Sequence, residues 1–92
     1  MVKINLRTDT AMNNSKIHLA DLPEGKSGII TEVDTSSTTS QRLLDLGFVP
    51  GTHVKAIKKA PMGDPTTFEI RGYQLGLRRS EAEAIEVEVV NQ

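Results

Sequence analysis

A small, mainly β fold, a closed or nearly closed barrel of about five short strands with one inserted helix, is what this 92-residue sequence predicts. Three observations predict it. Five short runs are strand-like, either alternating apolar with polar residues or rich in β-branched side chains. Turn-forming clusters, Pro50-Gly51, Ala60 to Pro65 and Arg71-Gly72, punctuate the later runs. One stretch alone, residues 37 to 47, carries helical spacing over more than a single turn. Aromatic residues are confined to Phe48, Phe68 and Tyr73, so the core rests on Ile, Leu and Val.

Residues 1 to 15 alternate at Val2, Ile4 and Leu6 and then turn polar through Asn13-Asn14-Ser15, a glycosylation sequon read here as chance. We read a loose N-terminal arm over residues 1–16 rather than an added strand, because termini order only when something ties them down, and a barrel domain over residues 17–92. Ile17, Leu19 and Leu22 are available for burial before the Pro23 to Gly25 turn. Gly28 to Val33 is the first strand, and the hydroxylated run from Asp34 to Ser40 is a surface loop leading into the helix.

Thr38 with Gln41 has the spacing of a capping box, so the helix is predicted to begin there. Leu43, Leu44 and Leu46 share one side while Arg42 and Asp45 stay wet. Gly47 suits the left-handed cap that ends a helix, with Phe48 folding back on Leu43. Pro50-Gly51 is the central pair of a type II turn into the second strand, Thr52 to Lys59, where Val54 and Ala56 alternate with His53 and Lys55. Ala60 to Pro65 is a hairpin loop. The third strand, Thr66 to Ile70, puts Phe68 and Ile70 on one face, and Arg71-Gly72 reverses the chain into a fourth with Tyr73, Leu75 and Leu77. Ser80 to Glu83 repeats the capping-box spacing and predicts one helical turn. The closing strand, Ala84 to Val90, sets Ile85, Val87 and Val89 against Glu86 and Glu88.

Eleven Lys and Arg against twelve Asp and Glu give a formal net charge of −1, which offers no global attraction to phosphate. The charges are uneven, however: residues 53 to 79 carry six basic and two acidic groups, and residues 80 to 92 carry four Glu and no basic group. Lys55, Lys58, Lys59, Arg71, Arg78 and Arg79 therefore either line a partner face or form an ordinary solvated surface. With so few aromatic groups to stack bases, a protein partner is favoured over nucleic acid. Cysteine is absent, which excludes disulfides and thiolate ligation. There is neither a bilayer-length apolar run nor the apolar core of a secretory signal, so a cytoplasmic protein is expected.

Gly25-Lys26-Ser27 imitates the end of a phosphate-binding loop, but the first glycine of that pattern falls on Ala20 and the segment leads into a strand instead of a helix. His18 and His53 sit in separate segments without metal-ligand spacing. No nucleophile elbow, catalytic cysteine or framed carboxylate pair is present. Neither a catalytic site nor a metal site nor a cofactor is expected.

The order of signals is specific in combination. Leu19-Ala20-Asp21-Leu22-Pro23-Glu24-Gly25 comes first, then Arg42-Leu43-Leu44-Asp45-Leu46-Gly47-Phe48-Val49-Pro50-Gly51, then Ala60-Pro61-Met62-Gly63-Asp64-Pro65, Leu75-Gly76-Leu77-Arg78 and the closing Ala82 to Val87. This resembles the FeoA family, small bacterial cytosolic proteins of ferrous iron uptake, over residues 17 to 90. The arm departs from the family pattern, in which the first Leu-x-x-Leu-x-x-Gly segment starts almost at the initiator Met. The resemblance implies an SH3-like barrel that works beside the membrane transporter FeoB, whose cytosolic part carries a GTPase domain, and so a link with transition-metal transport. The same fold occurs as the C-terminal domain of iron-dependent repressors behind a helix-turn-helix, and no such module precedes residue 17. A free-standing accessory protein is favoured over a regulator on that ground, since the fold alone decides nothing.

The expectation is then a non-enzymatic accessory protein that binds the cytosolic GTPase-containing region of an FeoB-type transporter and modulates transport. Exposure logic puts the partner-binding residues at Arg42 and Asp45, with Leu44 and Met62 as apolar anchors and Lys58 and Lys59 at the rim. The alternatives are an SH3-like peptide- or nucleic-acid-binding module, an iron-dependent regulator-type domain, and a direct metal chaperone acting through His18 or His53.

Overall fold

The computed structural model describes residues 16–90, and in it the strand-like runs become six antiparallel strands. These are β1 (Lys16–His18), β2 (Ser27–Val33), β3 (His53–Lys59), β4 (Thr66–Ile70), β5 (Tyr73–Leu77) and β6 (Ile85–Val90). Two helices, α1 (Thr38–Asp45) and α2 (Arg79–Ala82), and a 3₁₀ turn at Leu19–Asp21 complete the described residues. The strands hydrogen-bond in the order β1-β6-β2-β3-β4-β5, which leaves β1 and β5 as the two edges.

The sixth strand is the departure from the five expected. Lys16 pairs with Glu88, Ile17 with Val87 and His18 with Glu86, so the segment is tied down by the far end of the chain. Three residues are too few to show a period of their own. The rest of the predicted arm, residues 1–15, lies outside the described residues.

Alternation sorts the side chains as the spacing requires. Val54 and Ala56 of β3, Phe68 and Ile70 of β4, Leu77 of β5 and Ile85 and Val87 of β6 all point inward and are buried. Leu19, Leu22, Leu43 and Phe48 join them from the connecting segments, so each sizeable segment contributes to one core. Each buried Leu, Ile, Val or Phe contributes about 1.5–3 kcal/mol relative to exposure. The register shifts between Ile30 and Glu32 in the β2–β6 pair and between Ala56 and Lys58 in the β3–β4 pair. Such bulges bend strands and sharpen their twist, which curls a single sheet toward a barrel.

The helix begins one residue earlier than Thr38–Gln41 spacing indicated. Ser37 is the N-cap: its hydroxyl accepts the Ser40 N–H at 3.2 Å, and the Ser40 hydroxyl accepts the Ser37 N–H at 3.4 Å. Ser37-Thr38-Thr39-Ser40 offers four hydroxyls in a row, and the choice among them falls to packing. Starting at Ser37 puts Ser40 and Leu43, three apart, on the buried side, while the Gln41 amide reaches out to the Thr35 carbonyl at 3.5 Å. The second capping box is likewise displaced. Ser80 is already helical in α2, and the Glu81 carboxylate accepts the Arg78 N–H at 2.8 Å.

The helix stop forms as expected. Phe48 N–H donates to the Leu43 carbonyl at 3.0 Å and Gly47 N–H to the Leu44 carbonyl at 3.1 Å, the paired bonds of a Schellman motif with Gly47 at φ +109°. Phe48 and Leu43, the apolar pair that accompanies this motif, are both fully buried. Thr52 N–H then closes on the Val49 carbonyl at 3.1 Å with Gly51 at φ +94°, the predicted type II turn. A Cβ on Gly47 would meet Ile70 Cδ1 and Arg71 Cδ at 3.3 Å. Gly47→Ala is therefore expected to cost about 1–3 kcal/mol from backbone strain alone, read as a lowered urea midpoint with unchanged slope. An unshifted midpoint would mean the stop is not what orders this segment.

Candidate docking surface

Helix α2 is the piece that holds the open side of the sheet. Its first residue, Arg79, follows β5; the Arg79 N–H donates to Asp64 Oδ1 at 2.9 Å, and its guanidinium pairs with Asp21 at 3.2 Å and Glu83 at 3.1 Å. Asp21 ends the 3₁₀ turn next to edge strand β1, so one side chain links the neighbourhoods of both edges. Arg42 of α1 reaches the same helix, with a guanidinium nitrogen 2.7 Å from Glu81 Oε2. Glu81 is the better buried partner, 13% exposed, and its other oxygen holds the Arg78 N–H. At the far end of α1 the Tyr73 hydroxyl donates to the Leu46 carbonyl, which fastens the helix terminus to the start of β5.

The six residues singled out from the sequence fall into two groups at opposite ends of the β4–β5 hairpin. Met62 lies in the loop after β3 and is 91% exposed, with Lys58 exposed and Lys59 half-buried just before it. That loop adjoins the end of the hairpin where Thr66 pairs with Leu77. The Lys59 N–H donates to Glu24 Oε2 at 2.9 Å, which anchors the base of the loop to the turn before β2. Arg42, Leu44 and Asp45 lie on α1, whose C-terminal end meets the other end of the hairpin at Arg71 and Tyr73. Asp45 is exposed and Leu44 is half-buried. Arg42, 58% exposed, is engaged by Glu81, a partner from the other end of the chain that local spacing does not reveal.

Leu43 and Phe48, expected to meet across the helix stop, are core residues. Tyr73 is the exposed apolar residue that exposure logic missed, at 42%. It alternates in step with Leu75 and Leu77, but β5 is an edge and its first residue lies at the sheet's rim.

The two imidazoles are well separated in the fold, His18 on β1 and His53 on β3. His18 lines an open cavity of about 290 Å³ with Glu32, Asp34, Glu83 and Glu86, an acidic wall that pairing of β1 with β6 assembles. Among the described residues no three His, Asp or Glu side chains converge as metal ligands. Glu86 is engaged by the Thr31 hydroxyl at 2.8 Å, and Asp34 accepts the Ser36 N–H at 3.0 Å. The Ser36 backbone bond, helped by the Ser36 side chain, holds the Asp34 carboxyl below its ordinary value of 3.8. Being depressed, it favours the fold above that pH and loses the contribution only as pH falls through its own lower pKa.

The described residues form an open antiparallel barrel with two short helices and exposed charged loops, an SH3-like domain. No helix among the described residues is long and apolar enough to cross a membrane. The FeoA domain model matches residues 17–89, and the chain belongs to that family, which is linked to ferrous iron transport. It is 33% identical over 75 residues to an Fe(2+) transport protein A/Fe(2+) transporter FeoB fusion protein of Porphyromonas gingivalis, a match that covers 82% of this chain and 9% of that much longer protein. An FeoA-like protein from Clostridium acetobutylicum superposes with a TM-score of 0.79 at 36% identity, over 85% of this chain and 91% of that one. Stenotrophomonas maltophilia FeoA, solved with zinc and described as an SH3 domain protein, superposes at 0.70 with 31% identity over 77% and 88%.

Because Glu81 satisfies two partners from one half-buried carboxylate, Glu81→Ala is expected to destabilise the domain by about 1–2 kcal/mol, through the lost cap and the unpaired Arg42. Glu81→Gln retains an acceptor for the Arg78 N–H and should cost less. Equal losses in chemical denaturation would show that the cap contributes little.

Proposed function

We propose that this chain is a non-enzymatic accessory protein that docks on the cytosolic, GTPase-containing region of an FeoB-type ferrous iron transporter and modulates transport. The observation that carries this reading is the fused relative, in which a domain 33% identical to most of this chain is covalently joined to such a transporter. Fusion gives two modules a high effective concentration without any new contact, which is useful only if they work side by side. Membership of a ferrous iron transport family points the same way.

The docking surface is read as two contacts on either side of the β4–β5 hairpin. Met62 supplies an apolar anchor free of neighbours that would otherwise hold it, and Lys58 and Lys59 add positive charge at its base. Leu44 and Asp45, with the solvent-facing part of Arg42, supply the second contact. Modulation follows if the bound surface favours one state of the transporter's switch segments over another, since a ligand shifts an equilibrium only through differential affinity.

The test is titration calorimetry of the full chain with the purified soluble region of the transporter, alongside GTP turnover. Met62→Ala combined with Arg42→Glu is expected to weaken binding by about tenfold or more, the scale of losing one anchor. Unchanged affinity in the double variant would remove this surface, and absence of any binding by the parent chain would remove the docking reading itself.

A further inference from the structure

Between the two contacts runs the outer edge of β5, and its composition is unusual for an edge left open. Tyr73-Gln74-Leu75-Gly76-Leu77 contains no charge and no proline, and its pairing with β4 is continuous from Thr66–Leu77 to Ile70–Tyr73 without a bulge. Those are the devices by which proteins ordinarily keep an edge from recruiting another strand. Arg71 and Gly72, at φ +48° and +86°, form a two-residue hairpin turn, so Ile70 and Tyr73 exchange hydrogen bonds and every second pair does likewise. The N–H and C=O groups of Gln74 and Gly76 are thereby aimed away from β4. Among the described residues no strand pairs with that side.

Charge says which kind of strand fits. Arg71 stands at one end of the edge and Arg78 at the other, both exposed, and neither is in a salt bridge among the described residues. A second copy added antiparallel would bring Arg71 of one chain near Arg78 of the other, so like charges disfavour self-pairing. An extended segment with a carboxylate at each end meets the opposite situation. The half-buried Leu75 and the exposed ring of Tyr73 would gain cover on the inner side.

We propose that the β5 edge binds an extended segment with acidic ends as an added strand, a segment that belongs to the transporter's soluble region. Strand addition draws affinity from main-chain hydrogen bonds and selectivity from the flanking side chains. The identity of the source rests on the docking reading above, whereas the edge chemistry does not. The span is about 16 Å for five residues, so the two arginines ask for carboxylates roughly six or seven residues apart.

Amide exchange followed by NMR on the full chain decides it. In the free protein the Gln74 and Gly76 amides should exchange quickly and Leu75 slowly. In the complex with the transporter's soluble region both should slow by at least about tenfold, while an edge not used for pairing leaves them unchanged. The second arm uses the synthetic peptide acetyl-Asp-Val-Thr-Val-Thr-Val-Asp-amide at millimolar concentration, with a version bearing Asn at both ends as control. Protection of the same two amides by the acidic peptide, lost in Arg71→Asp/Arg78→Glu, supports the proposal even if the transporter region does not bind. That result would remove the docking reading and keep the edge site. Gly76→Pro deletes an outward N–H where a Cβ would meet nothing closer than the Thr66 carbonyl at 3.9 Å, so the fold should persist while binding falls. Gln74 and Gly76 left unprotected by both the transporter region and the acidic peptide overturn the proposal.

Discussion

The stop after α1 is the constraint on which the rest of the barrel depends. Gly47 in the left-handed region lets Phe48 N–H return to the Leu43 carbonyl, and this drives the Phe48 ring into the centre of a core that has only one other phenylalanine. Two residues later the Pro50-Gly51 turn delivers the chain to β3, and its closing residues bond back to β2: Gly51 N–H to the Ile30 carbonyl at 2.7 Å, Ile30 N–H to that of Thr52 at 2.9 Å. One local device therefore ends the helix, fills the core and begins the neighbouring strand. A helix that ran on for another turn would carry Phe48 to a different face and misplace the register of β3.

Charge completes what packing begins on the open side. A sheet with two edges needs something to span the gap, and here it is α2, a single turn held by Arg79 to Asp21 and Asp64 and by Glu81 to Arg42. Most of these groups are exposed, so each pair contributes no more than about 1 kcal/mol. Their importance is positional. They set where α1, the 3₁₀ turn and the β3–β4 loop lie relative to each other, and hence where Met62 and the wet side of α1 are displayed.

Polar groups are spread over loops and strand faces, the two histidines stand apart, and the acidic wall around His18 is occupied in part by its own hydrogen bonds. In one relative a similar domain is joined to a ferrous iron transporter in a single chain.

Much of this was legible without coordinates because it is local. The period-two runs, the Gly47 stop, the Pro50-Gly51 and Arg71-Gly72 turns and the inward set of Val54, Phe68, Ile70, Leu77, Ile85 and Val87 follow from spacing and backbone preference over a few residues. What tertiary structure decided is what joins distant parts. Lys16–His18 becomes a strand only because β6 is there to pair with it, Arg42 is drawn to Glu81 from the other end of the chain, and Ser37 wins the cap because burial of Ser40 and Leu43 selects among equivalent hydroxyls. Tyr73 alternates in step with Leu75 and Leu77 yet stands at the rim, since alternation says which face a side chain is on but not whether another strand will cover it. Short-range stereochemistry is written residue by residue, whereas the energy of a long-range contact depends on a neighbour that exists only once the chain has folded.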